Sequence, residues 1–178
     1  MPGRMVQEHI QRGAYLLVIR LSRPARVRFG AKGLLRLEPG YYAYAGRASR
    51  SLAGRLKRYL GVAGSRDHPF KLRWHVDYLL AHRYASIAHI LLTDKDPAGE
   101  CSTARRVARL TGASPLPGRI GASDCTEGCP GHLIRLGPVL PDFGDSCLFM
   151  DNDITGQHRT NLVFPLESLV GVVGVACS

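Results

Sequence analysis

The chain has 178 residues, of which 45% are hydrophobic and 21% are charged, and this balance excludes a wholly disordered protein. Its formal net charge of +10 favours a polyanionic partner, either nucleic acid or an anionic membrane surface. The charge is uneven, because residues 1–137 carry 23 Lys and Arg against 9 Asp and Glu, whereas residues 138–178 carry one Arg against five acids. We therefore predict a basic domain over residues 1–137 and an acidic C-terminal extension, partly ordered or disordered, over residues 138–178.

The composition also indicates where in the cell the protein is located. No apolar segment approaches the roughly 20 residues of a membrane-spanning helix, and no secretory signal is visible. The five cysteines are an odd number, which suggests reduced thiols or metal ligands rather than a disulfide framework. These features predict a cytoplasmic protein without a membrane partner, and they leave the oligomeric state open.

Strand patterns dominate the first part of the chain. Residues 13–21 form an apolar run rich in β-formers, which predicts a buried strand. Residues 26–29 and 34–37 flank a glycine-containing turn and predict a hairpin. Residues 41–45 follow a Pro-Gly turn and predict a further strand.

Helical spacing begins beyond these strands. Three leucines at four-residue spacing predict a helix that ends at Gly61. Three aromatic residues at the same spacing favour a helix over residues 71–80, although local alternation leaves a strand open. The remaining predicted elements are a strand over 87–92, a helix over 100–110, an irregular segment over 114–126 and a last strand over 132–136.

Glu100 begins the last predicted helix. At 100° per residue it falls within the apolar stripe of that helix. A carboxylate that faces a core is costly unless it is paired, binds a cation or is protonated. The alternative is an acid placed at a helix start, where the helix dipole favours it. Both interpretations stand at this point.

An arginine and three tyrosines are further candidates. Arg55 flanks the leucine stripe and could present its guanidinium fork to a phosphate, or simply cover the stripe with its alkyl stem. Tyr59 lies nearer the stripe, so core packing competes with a role in a site. Tyr15 and Tyr44 lie in strands that could pair, each close to a glycine that permits the near approach of a ligand. Ordinary packing in the sheet is the alternative for both.

Cysteines and a histidine cluster late in the chain. Cys125, Cys129 and His132 are closely spaced, and with Cys101 they could supply a tetrahedral Cys₃His zinc site. Reduced cysteines in a loop rich in Gly and Pro are the alternative. A nucleophilic pair of Cys125 with His132 is a further possibility, for which no orienting residue is identifiable.

Several short motifs, taken in order, resemble the GIY-YIG nuclease superfamily. Gly13-Ala14-Tyr15 resembles the first signature and Tyr44-Ala45-Gly46 the second, each with Ala in the variable place. The pattern is most similar to the DUF123 branch of small stand-alone proteins, which carries a longer segment between the two tyrosines, and it covers about residues 13–136. The other matching elements are Gly54-Arg55, Arg58-Tyr59, Trp74-His75-Val76-Asp77-Tyr78, Glu100-Cys101, and Ser123-Asp124-Cys125 with His132-Leu133.

The resemblance implies a fold and a site. The expected fold is α/β, a small and mainly antiparallel sheet flanked by helices, with an added β-hairpin. Tyr15 would orient or deprotonate the attacking water, Tyr44 would position the phosphate, and Glu100 would hold Mg²⁺ or Mn²⁺. The other site residues would be Arg55 and Tyr59 among the catalytic groups, and Arg47, Arg58 and His75 as phosphate contacts, with a structural role open for His75.

Three functional hypotheses follow. The first is a metal-dependent, endonuclease-like phosphodiesterase acting on DNA. The second is a non-catalytic nucleic-acid-binding protein on the same scaffold, because both need the basic domain. In the third, residues 138–178 fold against the basic domain and mask it, an idea that rests on the segregation of charge.

Overall fold

The computed structural model describes residues 12–65, 67–94 and 97–141. Seven strands and three α-helices lie in these ranges, with short 3₁₀ turns at residues 30–32 and 97–99. The strands are β1 Gly13–Leu21, β2 Ala25–Arg28, β3 Leu34–Leu37, β4 Gly40–Ala48, β5 Ala85–Asp94, β6 Ser114–Pro115 and β7 Leu133–Gly137. The helices are α1 Leu52–Val62, α2 His75–Leu80 and α3 Glu100–Ala108.

Five strands form one antiparallel sheet. Their order is β5-β1-β4-β7-β6, and every neighbouring pair is antiparallel. Strands β2 and β3 pair separately as the hairpin that the sequence predicts between β1 and β4. The structure thus confirms the expected fold, an α/β protein with a mainly antiparallel sheet, flanking helices and an added hairpin.

Both faces of the central sheet are buried. Tyr15, Leu17 and Ile19 pack on one face in a cluster with residues of α1, α2 and the hairpin, whereas Leu16 and Val18 pack on the other with residues of α3. Side chains alternate between faces along a strand, so a strand covered on both sides reads as a continuous apolar run. This explains why residues 13–21 show no alternation of polar and apolar residues.

The pairing of β1 with β4 brings the two signature tyrosines together. Tyr15 stands opposite Gly46, and Leu17 stands opposite Tyr44, so the tyrosines are diagonal neighbours on one face. A Cβ at Gly46 would lie 2.5 Å from the Tyr15 hydroxyl and 2.8 Å from Tyr44 Cε1. Glycine is therefore required here so that the two rings can fill the space above the strand.

Three predicted elements need correction. The helix predicted over residues 71–80 is shorter and begins at His75, because the Asp77 carboxylate accepts the backbone N–H groups of Arg73 and Trp74 and turns the chain there. The helix predicted over residues 100–110 ends at Ala108. Within the segment predicted to be irregular, the first two residues form β6 because they pair with β7.

Two further sequence predictions concern the C-terminal extension and membrane-spanning helices. The acidic extension predicted over residues 138–178 lies outside the described residues, except for 138–141. Among the residues that are described, none of the helices has the length and apolar character needed to cross a membrane.

Candidate functional site

A cavity of about 370 Å³ opens where several elements meet at one end of the sheet. Its walls come from β4, α1, α2, the start of α3 and the loop that joins β6 to β7. The lining residues are Tyr44, Arg47, Ser49, Arg55, Arg73, Trp74, His75, Glu100, Gly121, Ser123 and Asp124. Three arginines and two carboxylates therefore line one open cavity.

Arg55 is held on this wall by aromatic groups. Helix α1 starts at the Ser51 N-cap, whose hydroxyl accepts the Gly54 N–H at 3.0 Å, and places Arg55 one turn from its start. The Arg55 guanidinium lies 4.1 Å from the centre of the Trp74 ring and donates a hydrogen bond to Tyr59. A cation over an indole face is a favourable contact, so the guanidinium is oriented before any ligand binds.

Tyr15 and Tyr59 lie behind the wall rather than on it. Both are fully buried, and their hydroxyls are hydrogen-bonded at 2.8 Å. Hydrogen bonds therefore run from Tyr15 through Tyr59 to Arg55. Burial, with the neighbouring phenols adding to it, raises the pKa of Tyr15 well above its ordinary value. The phenol that the family resemblance places at the attacking water is thus enclosed and stays protonated near neutral pH.

Tyr44 is the signature tyrosine that lines the cavity. Burial is the main cause that raises its pKa well above the ordinary value, and the charge of Glu100 adds to it. Gly121 closes over the other side of the ring, where an added Cβ would lie 3.1 Å from Tyr44 Cε2. Its backbone has φ of +79°, a conformation that glycine adopts readily. Tyr44 can therefore donate a hydrogen bond into the cavity but is a poor proton acceptor.

Arg58 and His75, two of the residues expected to contact phosphate, differ in their placement. Arg58 is absent from the cavity lining, because its guanidinium pairs with the buried Asp77 carboxylate at 2.5 Å. His75 lines the cavity, and its Nδ1 accepts the Gly121 N–H at 2.8 Å. Burial, followed by the charge of Lys32, lowers the pKa of His75. The neutral ring then carries its proton on Nε2, which is a hydrogen-bond donor.

Glu100 has two different polar partners. Its Oε1 lies 2.9 Å from His132 Nδ1, and its Oε2 lies 3.2 Å from Arg47 Nε. The Glu100 side chain is 13% exposed, whereas that of Arg47 is 53% exposed. The carboxylate is therefore neither an unpaired core acid nor a solvated helix-start acid, since it joins the cavity wall to a buried imidazole.

Asp124 and Trp74 are lining residues to which the sequence interpretation gave no role. Asp124 stands in the Ser123-Asp124-Cys125 motif, and this motif was the available signal for a second acid. Trp74 contacts the guanidinium groups of Arg55, Arg58 and Arg73. A lone tryptophan beside basic residues indicates such stacking only weakly, because packing in the core explains it equally well.

The predicted zinc ligands come together beside the cavity. Cys101, Cys125, Cys129 and His132 each offer one ligand atom, and these atoms all lie within 4.8 Å of one another. The Cys101 sulfur is 3.6 Å from the Cys125 sulfur and 3.8 Å from His132 Nε2. The three cysteines are free thiols. The cluster could therefore hold a metal ion.

Cys125 and Cys129 lie in a loop that is held through its backbone carbonyl and N–H groups. Arg119, at φ of +55°, donates to the Cys125 carbonyl at 2.8 Å and to the Cys129 carbonyl at 3.4 Å. The backbone N–H groups of Cys129 and Glu127 donate to the Cys125 sulfur. Although burial opposes it, these donors lower the pKa of Cys125 to about 7. Burial and the adjacent thiols raise the pKa of Cys101.

These features define a small α/β protein with a basic, carboxylate-containing cavity next to a Cys₃His cluster. Residues 14–143 match the model of the family described as Domain of unknown function DUF123. The match covers most of the chain, which therefore belongs to that family. No curated protein and no solved structure matches the chain significantly.

Proposed function

We propose that the protein is a divalent-metal-dependent phosphodiesterase that cleaves nucleic acid, with DNA as the expected substrate. One observation carries the proposal: Tyr44, Arg55 and Glu100, which are distant in sequence, line a single cavity together with Arg47. The order of the motifs, which resembles that of GIY-YIG nucleases, supports the same reaction. A cavity of about 370 Å³ suits one backbone phosphate with its sugar rather than a whole duplex.

The arginines of the cavity are the groups that would bind the phosphate. Arg55 is held by Trp74 and Tyr59, and its planar guanidinium can pair with two phosphate oxygens at once. Arg47 and Arg73 add positive charge to the same wall. Donors that are oriented before substrate binds stabilise the charge that develops during phosphoryl transfer without a further reorganisation.

A hard divalent cation fits the donor set of the wall. Glu100 and Asp124 offer the carboxylate oxygens that Mg²⁺ and Mn²⁺ prefer. Such an ion, when bound, neutralises charge on the reacting phosphate and on the departing oxygen. Glu100 Oε2 is the atom that would face it, because its present partner, Arg47, has a half-exposed side chain that can turn toward the phosphate instead.

Proton transfer in this proposal falls to the carboxylates rather than to the phenols. Tyr44 stays protonated near neutral pH and would donate its hydroxyl hydrogen to a phosphate oxygen. In the proposed complex both Glu100 oxygens are engaged, Oε1 with His132 and Oε2 with the divalent cation. We therefore assign the orientation of the attacking water to Asp124. Tyr15 and Tyr59 then act indirectly, through the hydrogen bonds that hold Arg55.

The test compares the protein with two arginine variants that remove the same charge. Single-stranded, duplex and branched DNA would be incubated with Mg²⁺ or Mn²⁺ and the wild type, Arg55→Ala or Arg109→Ala. Arg109 is exposed at the far end of α3 and serves as the control. We expect Arg55→Ala to slow cleavage roughly 100-fold or more and Arg109→Ala to match the wild type. If the wild type cleaves none of these substrates, or Arg55→Ala cleaves equally fast, the proposed activity is wrong.

A second candidate function is nucleic-acid binding without cleavage. It is favoured by the hairpin, where Arg26, Arg28 and Arg36 are exposed, and Arg26 stands directly opposite Arg36. Such a surface binds phosphates irrespective of the chemistry in the cavity. Binding that weakens steeply with salt, together with no metal-dependent cleavage, would favour this candidate over the first.

We also propose that the ion of the Cys₃His cluster is zinc. Zinc binds sulfur at about 2.3 Å with tetrahedral geometry, which sets ligand atoms roughly 3.5–3.8 Å apart. The spacings from the Cys101 sulfur, 3.6 Å to Cys125 and 3.8 Å to His132, agree with this geometry. Elemental analysis of the purified protein should find one zinc per chain, and a Cys125→Ser, Cys129→Ser variant should lose it.

Reduced thiols also support a cytoplasmic location.

A further inference from the structure

His132 lies between the Cys₃His cluster and the cavity. Its ring is 2% exposed, with Nε2 3.8 Å from the Cys101 sulfur and Nδ1 2.9 Å from Glu100 Oε1. One nitrogen therefore belongs to the ligand cluster and the other to the carboxylate. A histidine that binds a metal through one ring nitrogen donates its other N–H to an outer partner, very often a carboxylate.

The carboxylate of Glu100 also lines the cavity. Glu100 Oε1 contacts the buried imidazole, whereas Oε2 pairs with Arg47 at 3.2 Å. Glu100 and Cys101 are consecutive residues at the start of α3, so the same turn of helix delivers a cluster ligand and a cavity residue. The cluster and the cavity are therefore joined by two connections, one along the helix backbone and one through the ring of His132.

We propose that Glu100 is shared between the two sites, so that it orients His132 on the zinc ion with one oxygen and presents its second oxygen to the cavity. The role of the second oxygen rests on the proposed phosphodiesterase function, whereas that of the first does not. In this arrangement the zinc site has a positioning role for the reaction: it holds the carboxylate in one orientation while Arg47 and the divalent cation compete for Oε2.

The first experiment measures zinc affinity and needs no substrate. Zinc would be titrated into metal-free, reduced protein against a chromophoric chelator. We expect Glu100→Ala to bind zinc about 10–100-fold more weakly than the wild type, the effect typical of removing an outer-shell partner. Glu100→Gln, whose amide oxygen can still accept from His132, should lie between them. Glu127→Gln is the control, because this exposed acid lies in the ligand loop but pairs with Arg105.

Cobalt provides a structural readout for the same variants. Tetrahedral Co²⁺ bound by thiolates absorbs visible light, and a change in the orientation of His132 should shift these bands in Glu100→Ala but not in Glu127→Gln. Circular dichroism would verify that each variant is folded, and Glu100→Gln decides the outcome if Glu100→Ala is unfolded. Zinc affinity and a cobalt spectrum equal to those of the wild type in the folded variants would overturn the proposal.

The second experiment tests the link to the cavity. Zinc would be removed with a thiol-type chelator under reducing conditions, and cleavage would then be measured with added Mg²⁺ before and after zinc is restored. We expect at least a tenfold loss that zinc reverses. Unchanged cleavage without zinc would overturn the positioning role. Should the wild type show no cleavage at all, the proposed function fails, whereas the zinc titration still decides whether Glu100 serves the cluster.

Discussion

Removing the hydroxyl of Tyr59 would test how Arg55 is held. In Tyr59→Phe the Tyr15 hydroxyl, which is fully buried and bonded to Tyr59 at 2.8 Å, loses this partner. The Arg55 guanidinium also loses an acceptor. In Tyr15→Phe, by contrast, the Tyr59 hydroxyl keeps its hydrogen bond with Arg55. Both single variants remove the same hydrogen bond, but only Tyr59→Phe leaves a buried hydroxyl without a partner.

The magnitudes follow from that difference. Leaving a buried hydroxyl without a partner costs about 1–3 kcal/mol, whereas losing one hydrogen bond of a group that keeps another costs about 0.5–1.5 kcal/mol. Tyr59→Phe should therefore be the more destabilising variant. The double variant no longer contains the unpaired Tyr15 hydroxyl. Its loss of unfolding free energy should therefore be smaller than the sum of the two single losses by about 1 kcal/mol. With a urea m-value near 2 kcal/mol/M, the midpoint of Tyr59→Phe should fall by about 0.5–1.5 M.

Urea unfolding followed by circular dichroism would measure all three variants under the same zinc and reducing conditions. Tyr41→Phe, which removes the hydroxyl of a partly exposed tyrosine on β4, is the control and should change stability by less than about 0.5 kcal/mol. The reasoning is refuted if Tyr59→Phe costs no more than Tyr41→Phe, or if the double variant is additive. Arg55 loses an anchor in Tyr59→Phe but not in Tyr15→Phe, so DNA binding should weaken only in the former.

Three further outcomes are expected. Gly46→Ala forces a Cβ to within 2.5 Å of the Tyr15 ring. This clash should lower the free energy of unfolding by about 1–3 kcal/mol and the thermal midpoint by roughly 3–10 °C. An unchanged midpoint would contradict the tight packing of Tyr15 against Gly46. Because the pKa of His75 is lowered in the folded protein, its contribution to stability is present above the unfolded pKa of about 6.5 and is lost as the pH falls toward the folded value. Urea unfolding at pH 7.5 and 5.5 should therefore show a smaller loss of stability in His75→Gln than in the wild type, and equal losses would refute the lowered pKa. Arg26→Ala and Arg28→Ala should each reduce the salt dependence of DNA binding by about one counterion; an unaltered slope in both would remove the hairpin from the binding surface.

The central strands and their tyrosines were predictable because the signal is local. A nine-residue apolar run can bury its backbone only as a strand or a helix, and its β-branched content favours the strand. The glycine beside each tyrosine marked a place where rings or backbone approach closely. That Tyr15 stands opposite Gly46 was not predictable, since the register depends on how both faces of the sheet pack.

The start of α2 illustrates what local spacing misses. Aromatic residues at four-residue intervals predicted a helix from residue 71, but the Asp77 carboxylate accepts two backbone N–H groups ahead of it and pairs with Arg58. Arg58 comes from α1, nineteen residues earlier in the chain. A contact of that range leaves no periodic trace in the sequence, and it also keeps Arg58 out of the cavity lining.

By itself, the sequence determined the chemical content of this protein: a basic domain, two tyrosine signatures, a helix arginine, one acid at a helix start, and three cysteines and a histidine of types that suit zinc. Only the tertiary structure decided which of these groups line the same cavity. It placed Tyr15 behind Tyr44, brought Asp124 into the cavity and set His132 between Glu100 and the thiols. The physical reason is that local composition sets propensity and charge, whereas the distance between side chains thirty residues apart depends on how α3 and the ligand loop pack against the sheet.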